Sequence, residues 1–312
     1  MTPTLIVLVP LLVVPVVALL AFTGCGRFGA AEPIGHTPPT GGLGIGGENG
    51  NGDTRPSYAD TILGGGEGLV AYWTLSDQAT TVAFDKGPSK IHGSYVGSPP
   101  PTQGQTGGAL APRQTSDVCT HFTGNGSTIQ VDFSPLLNPA PNLRFTFEIW
   151  ARLEDPASRA GDSETLASGR GETPDGDTGW ELYVTYGNDG TPTFKARVFP
   201  GNGGDPTSAT IAVPATGTPV DAWHLVALAY DGTGPTSVSV HVWVAGSTRS
   251  FDETKSPAPF RNTNDITQPL VIGAFGATDP QRPFQGDLDE AAFYNTALTG
   301  PQIAAHVAAA LP

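Results

Sequence analysis

Short runs in which apolar and polar residues alternate recur along the chain from residue 58 onward, and Gly, Pro, Asn and Asp separate them. In residues 145–153 the odd positions are Phe, Phe, Ile, Ala and Leu, and the even positions are Thr, Glu, Trp and Arg. In residues 238–244 the even positions are all valine, and the odd ones are Ser, His and Trp. Successive side chains of a strand point to opposite faces, so this period of two predicts strands with one buried face. The pattern therefore predicts an all-β, antiparallel two-sheet β-sandwich.

A helical pattern is found at the C-terminal end of this region. Thr299 and Gln302 have the spacing of a capping box, in which each side chain satisfies a backbone N–H of the first helical turn. The spacing predicts a short helix over residues 301–310. Residues 58–312 together are long enough for one large sandwich domain.

The stretch before this domain has a different composition. Residues 26–57 are rich in Gly, Pro, Asn and Thr and show no periodicity. Such a composition buries too little apolar surface to offset the entropy lost on ordering, which predicts a flexible linker. The Gly-rich part lacks the flanking strand, helix and Lys of a phosphate-binding loop.

Residues 1–25 contain an uncharged apolar run, residues 5–22, that is typical of a targeting segment. Three interpretations remain open: a secretory signal, an uncleaved membrane anchor, and a lipoprotein signal with lipidation at Cys25. Phe22-Thr23-Gly24-Cys25 resembles a bacterial lipobox, although Phe22 stands where Leu is usual and the leader lacks Lys or Arg. All three interpretations predict export, either to the extracytoplasmic side of a membrane in the cell envelope or into the medium.

Composition and charge narrow the function further. The chain has 41 Gly, 30 Pro and only 14% charged residues, which argues against a helical bundle. Its net charge of −14 would repel a phosphate backbone and excludes nucleic acid as a partner. The same acidity favours neutral glycans or cations over anionic partners and does not choose between the two.

Several segments resemble, in order, the laminin-G-like, concanavalin A-like jelly rolls of bacterial surface proteins. They are residues 69–75 (LVAYWTL), 84–87 with 93–97, 145–150 (FTFEIW), 223–226 (WHLV) followed by 230–232 (YDG), and 286–290 with 294–298. The resemblance covers nearly all of residues 58–312. It implies a jelly roll, but it says little about the ligand because this fold hosts lectins, enzymes and adhesion modules.

The sequence predicts that the domain is not an enzyme. Sandwich glucanases of this superfamily carry Glu-x-Asp-x-x-Glu on one strand, which places an acid and a nucleophile on one face. The most similar segment here is Asp287-Leu288-Asp289-Glu290. Simple alternation puts Asp287 and Asp289 on one face and Glu290 on the other, so we expect a structural role.

The resemblance also implies one structural calcium ion, held where the ends of the domain meet. Asp85 and Asp289 lie in blocks that would come together there and are its candidate ligands. The acidic segment 154–177 contains a fragment of a calcium loop but lacks the full pattern, so we expect a solvated loop.

Alternation also suggests a sugar-binding platform, since sugars stack on aromatic rings while charged groups hold their hydroxyls. The candidates share the non-core faces of two strands; they are Trp150, Trp243, Glu148, His241 and Arg152. The alternative is that another layer covers these tryptophans.

These features together predict a non-catalytic module at the bacterial cell surface that binds a carbohydrate or glycoconjugate. The first alternative is a structural or adhesive module that binds a protein partner in an envelope assembly. The second alternative is a glycan-cleaving enzyme.

Overall fold

The computed structural model describes residues 55–66, 68–173, 176–212, 222–232, 239–245, 250–263, 267–277 and 279–312. The expected targeting segment with Cys25, and the linker up to residue 54, lie outside the described residues.

The described residues form sixteen strands. In chain order they are β1 (Leu69–Trp73), β2 (Val82–Ala83), β3 (Gly93–Val96), β4 (Thr102–Thr106), β5 (Val118–Thr123), β6 (Thr128–Val131), β7 (Arg144–Leu153), β8 (Ser163–Thr173), β9 (Gly176–Tyr186), β10 (Pro192–Pro200), β11 (Thr207–Ala212), β12 (His224–Asp231), β13 (Ser239–Ala245), β14 (Ser250–Lys255), β15 (Leu270–Ile272) and β16 (Gln285–Tyr294).

The strands build two antiparallel sheets of eight strands each. The first sheet has the order β14-β13-β12-β7-β16-β5-β4, and β1 pairs with β16 beside this path. The second has the order β11-β10-β9-β8-β15-β6-β3-β2. Distant segments of the chain become neighbours in both sheets, which confirms the β-sandwich predicted from the alternation.

The main hydrophobic core lies between the sheets. Phe145, Phe147 and Ile149 on β7 contribute the face that alternation assigned to the core, and none of them is exposed. Trp180 on β9 packs against Phe147 across the core, with ring centroids 5.2 Å apart. Burying side chains of this size stabilises the fold by roughly 2–3 kcal/mol each.

Two helices form a second layer on the outer face of the first sheet. They are α1 (Tyr58–Gly64) and α2 (Gly300–Ala310), and α2 confirms the helix predicted from the capping box. The amide N–H of Thr299 donates to Oε1 of Gln302 at 2.8 Å. Among the described residues, neither helix has the length and apolarity that a membrane crossing requires.

The first helix was not predicted, although it carries a capping signal. The amide N–H of Asp60 donates to Oγ of Ser57, and the amide N–H of Ser57 donates to Oδ2 of Asp60. Seven residues are too few to display a helical period, so the helix depends on burying Tyr58 and Ile62 against the sheet.

The acidic segment 154–177 is mostly β-structure and not the expected solvated loop. It supplies β8 and the start of β9, which form one hairpin. Glu164 on β8 is 2% exposed, accepts from the Tyr186 hydroxyl at 2.8 Å and pairs with Arg159. Pairing of this kind makes an acidic side chain compatible with a strand, and composition alone does not reveal it.

Candidate functional site

Trp150 and Glu148 lie on the outer face of the first sheet, as alternation predicted, but the helical layer covers that face. Neither side chain has any exposed surface. The Trp150 ring packs edge-on against Tyr58 of α1, with ring centroids 6.4 Å apart. A sugar cannot reach either residue in this arrangement, which corrects the expectation of an exposed tryptophan platform.

Glu148 belongs to a buried hydrogen-bond network. Its Oε1 accepts from the Tyr294 hydroxyl at 2.8 Å, and its Oε2 lies 3.0 Å from Nδ1 of His306 on α2. The His306 ring also stacks on Tyr294. Glu148 therefore joins the helix to the sheet and does not serve ligand binding.

The three remaining platform candidates are also engaged within the protein. Trp243 is half-buried at the start of α2, where a Cβ added to Gly300 would come within 2.9 Å of its ring. His241 stacks on Trp243 with an angle of 3° between the planes, and its Nδ1 lies 2.7 Å from the Thr254 hydroxyl. Arg152 donates to Asp287 at 2.9 Å. The five candidates share a face, yet they form no open platform.

Asp85 is a structural carboxylate, which corrects its assignment as a calcium ligand. Its Oδ1 accepts from the backbone N–H of Tyr72 at 2.8 Å and of Gly87 at 2.6 Å. Its Oδ2 accepts from the N–H of Ile91 at 2.7 Å. N–H groups that surround a carboxylate present their positive ends to any cation, so this site does not suit a metal ion.

Asp289 and Glu290 lie together on the outer face of the first sheet, contrary to simple alternation. The register of β16 against β7 shifts between Asp289 and Ala292, and Glu290 has a φ of 52°. A β-bulge of this kind places two successive side chains on one side of the sheet. The sequence pattern gave no sign of the bulge.

These two carboxylates meet Asp117, which comes from the loop before β5. Oxygen atoms of Asp117, Asp289 and Glu290 lie within 4.8 Å of one another. A Cβ at Gly108 would come within 2.9 Å of Oδ2 of Asp289, so the glycine makes room for the acids. Sequence reasoning selected Asp289 and missed its two partners, because a β-bulge and a loop bring them in.

Burial dominates the electrostatics of this three-carboxylate cluster. It raises the pKa of Asp117 to about 6, with hydrogen bonds from the Leu110 and Val118 backbone and from Asp289 opposing the shift. Burial, followed by the like charges of Glu290 and Asp117, raises the pKa of Asp289 well above its ordinary value. Burial does the same for Glu290. The carboxylates therefore either hold protons or require a cation.

The hydrogen bonds around the cluster leave one oxygen unused. Oδ2 of Asp289 accepts from the N–H of Ala109 at 2.8 Å, and Glu290 accepts from the Tyr72 hydroxyl. Oδ1 of Asp289 is fully buried and has no hydrogen-bond partner among the described residues. An unused buried oxygen beside two further carboxylates fits a hard divalent cation such as calcium.

A different surface, which sequence reasoning missed, lies on the outer face of the second sheet. The guanidinium groups of Arg170, Arg197 and Arg282 stack over the ring of Phe275, at 3.8, 5.6 and 4.3 Å from its centroid. We call these three arginines, together with Lys195, the arginine face. They come from β8, from β10 and from the loop between β15 and β16, so no local motif marks them.

An open cleft of about 340 Å³ adjoins the arginine face. It is lined by Arg170, Gln268, Phe275, Gly276, Ala277, Asp279 and Gln281. The lining offers guanidinium and amide donors together with amide and carboxylate acceptors. Groups of this kind are the ones that hydrogen-bond sugar hydroxyls.

The two sheets and their order define a jelly-roll β-sandwich of the lectin and glucanase type. A family model described as the Concanavalin A-like lectin/glucanases superfamily matches residues 123–304. The chain belongs to this superfamily, which confirms the resemblance. No curated protein matches the sequence.

Solved structures with the same fold include the binding domain of botulinum neurotoxin serotype D, at 10% identity and a TM-score of 0.52. The alignment covers 79% of this chain and 51% of that one. Full-length tailspike protein 2 of Escherichia coli O157:H7 bacteriophage CAB120 is 11% identical, with a TM-score of 0.48. The alignment covers 75% of this chain and 28% of the tailspike. The CBM40 of Ruminococcus gnavus IT-sialidase, bound to α2,3 sialyllactose, is 16% identical to this chain, with a TM-score of 0.36. That alignment covers 52% of this chain and 81% of the CBM40.

This chain thus spans about half of the neurotoxin domain and about a quarter of the tailspike. At 10% identity the similarity to the neurotoxin domain concerns the fold alone.

Proposed function

We propose that the domain is a non-catalytic module that binds a carbohydrate or glycoconjugate at the bacterial cell surface. Membership of a lectin and glucanase superfamily supports glycan binding in general terms. The observation that carries the proposal is the open cleft beside the arginine face, with its polar lining of Arg170, Gln268, Asp279 and Gln281. We therefore propose a binding site on the second sheet and not at the tryptophans of the first sheet.

A glycan array probed with the purified full-length chain tests this proposal. Binding should fall at least tenfold in the double variant Gln268→Ala/Gln281→Ala, because both amides line the cleft. Gln105→Ala is the matched control, since Gln105 lies on β4 at an edge of the other sheet. Equal losses in the control, or no glycan bound at all, would refute the proposal.

The burial of the β16 carboxylates supports a non-catalytic role. Asp289 and Glu290 are 0% and 3% exposed, so a polysaccharide cannot reach them. Asp287 is held by Arg152 and by His121. Hydrolysis of a β-glucan that Asp287→Asn abolishes would restore the enzyme hypothesis.

A second open cleft, beside α1, favours the alternative of an adhesive module. Leu63, which is 47% exposed, lines an open cleft of about 470 Å³ with Leu69, Pro88, Lys86 and Lys90. Co-purification of an envelope protein that Leu63→Ser disrupts, together with no glycan binding, would support this alternative.

Export and lipidation at Cys25 remain proposals based on the apolar run and the lipobox-like segment, which lie outside the described residues. Mass spectrometry of the mature N-terminus tests them. A mature chain that begins with a lipidated Cys25 supports the lipoprotein, and a chain that still begins at Met1 refutes it.

We also propose that the three-carboxylate cluster holds one structural calcium ion. Asp117, Asp289 and Glu290 would each supply one oxygen, and the unused Oδ1 of Asp289 is the strongest support. Calcium takes 6–8 oxygen ligands and suits an all-oxygen site. The ion would neutralise carboxylates that burial otherwise keeps protonated.

A further inference from the structure

Cationic side chains gather on the outer face of the second sheet, although the chain carries a net charge of −14. Arg170, Arg197, Arg282 and Lys195 stack over the rings of Phe275 or Tyr183 there. Net charge governs the field far from a protein, whereas a ligand in contact responds to the groups beside it. The overall acidity therefore does not exclude an anionic ligand at this face.

Glu181 on β9 holds two of these arginines in place. It is fully buried, and its Oε2 accepts from Nε of Arg197 at 2.6 Å. Its Oε1 pairs with Arg282 at 2.8 Å and accepts from Thr165 at 2.6 Å. One carboxylate thus holds two guanidinium groups, and each planar group keeps further N–H donors for a ligand.

Among the side chains that the structure describes, cations outnumber carboxylates at this face. Arg170 pairs with Asp177 at 2.5 Å, and Asp279 lies exposed in the cleft lining. Four cations of the arginine face thus meet three described carboxylates, namely Glu181, Asp177 and Asp279. Burial is the main cause that lowers the pKa of Arg282; Glu181 opposes this shift, and the neighbouring Arg197 adds to it.

The rings beneath the guanidinium groups are not available for stacking. Tyr183 and Phe275 are each 7% exposed, and Phe199 is 3% exposed. The arginine side chains remain accessible, at 14% for Arg170, 18% for Arg197 and 24% for Arg282. Among the described residues the face therefore offers no open aromatic surface for a neutral sugar ring, whereas the partly exposed Arg170 lines the cleft.

We infer that the cleft selects acidic saccharides, whose carboxylate or sulfate group sits against Arg170 while Arg197 and Arg282 add positive potential behind Phe275. The inference rests on the proposed function and specifies its ligand class. Planar guanidinium groups bind such oxyanions through paired N–H donors, and charge-assisted hydrogen bonds are about twice as strong as neutral ones.

The test is an array that carries uronic-acid, sialylated and sulfated oligosaccharides, each beside its neutral parent. Acidic members should bind the full-length chain at least tenfold more tightly than their parents. Binding should weaken several-fold between 50 and 500 mM NaCl, roughly as expected for partly exposed charges. Neutral parents that bind equally well would overturn the inference and leave the proposed function standing, whereas an array with no bound glycan overturns both.

Two matched pairs of variants test whether the acidic group binds beside Arg170. Arg170→Gln should weaken acidic ligands at least tenfold, and Arg170→Lys, which keeps the charge but loses the planar fork, should weaken them less. Asp279→Asn removes a nearby negative charge and should tighten acidic ligands about threefold. Asp252→Asn gives the same change of net charge from β14 in the other sheet and should have no effect.

The Asp279 pair keeps the inference testable even if Arg170→Gln fails to fold, because Asp279 is exposed. If Asp279→Asn and Asp252→Asn changed the affinity for acidic saccharides equally, these ligands would not bind in this cleft.

Discussion

The carboxylate of Glu148 lies 3.0 Å from Nδ1 of His306, so a side chain in the middle of β7 holds the C-terminal helix against the first sheet. Both residues are buried, at 0% and 2% exposure. This contact explains why the face that alternation marked as polar is not a surface of the protein.

Removing Glu148 should destabilise the protein without changing the intrinsic glycan affinity of its folded fraction. Glu148→Ala removes the buried carboxylate that the Tyr294 hydroxyl and His306 contact, at a cost of about 3–5 kcal/mol. Glu148→Gln keeps one acceptor oxygen and should cost less. Urea unfolding monitored by tryptophan fluorescence gives both values. A loss of affinity in fully folded Glu148→Gln would instead favour a binding role.

Trp150 should behave as a core residue. Trp150→Ala removes a fully buried ring beneath α1 and should cost about 3–5 kcal/mol of unfolding free energy. Trp150→Phe keeps most of the apolar contact and serves as the milder control. Thermal unfolding and glycan binding are measured on the same samples. A stable Trp150→Ala protein that no longer binds glycan would instead support the sugar-binding platform that the alternation predicted.

The three-carboxylate cluster should make stability depend on pH and on calcium. The pKa of Asp117 is about 6 in the folded state against an ordinary 3.8, so the folded state binds more protons between these values. Without a divalent cation, stability should therefore fall as pH rises through this window, by about 1.4 kcal/mol for each pKa unit. Calcium at a hundredfold excess over its Kd should add about 2.7 kcal/mol at neutral pH.

Asp289→Asn tests whether the cluster causes these effects. The variant should lose the calcium-dependent rise in melting temperature and should show a shallower pH dependence than the wild-type protein. Asp205→Asn, which removes an exposed carboxylate, is the control. Undiminished calcium stabilisation in Asp289→Asn would place any ion elsewhere.

His224 should contribute a pH dependence of opposite sign. Burial lowers its pKa to about 4, so the unfolded state binds the proton more readily below the ordinary value of 6.5. Stability should fall as pH drops from about 6.5 towards 4, with a loss of about 2 kcal/mol at pH 5. His224→Leu should remove this loss. Chemical unfolding at several pH values, with wild type and variant compared at each pH, isolates the effect; parallel profiles would contradict it.

The strand faces could be predicted from the sequence because alternation reflects only the local geometry of a strand. Residues 145–153 and the valines of residues 238–244 carry the pattern without reference to the rest of the chain. The C-terminal helix could be predicted for the same reason, since Thr299 and Gln302 are three residues apart and act within one turn.

The candidate site could be predicted only in part. Asp289 was identified, but its partner Asp117 lies far away in the chain, and a β-bulge turns Glu290 to the same side. The arginine face could not be predicted, because Arg170, Arg197 and Arg282 converge on Phe275 from three separate segments.

The sequence by itself determined the fold class, the two faces of β7 and the position of the last helix, because these depend on neighbours within a few residues. Only the tertiary structure decided which polar face is covered and which is open. The helices bury Trp150 and Glu148 on one sheet, while the loop before β16 brings Phe275 against Arg170 on the other. Those contacts join residues far apart in the chain, and local periodicity carries no information about such pairs.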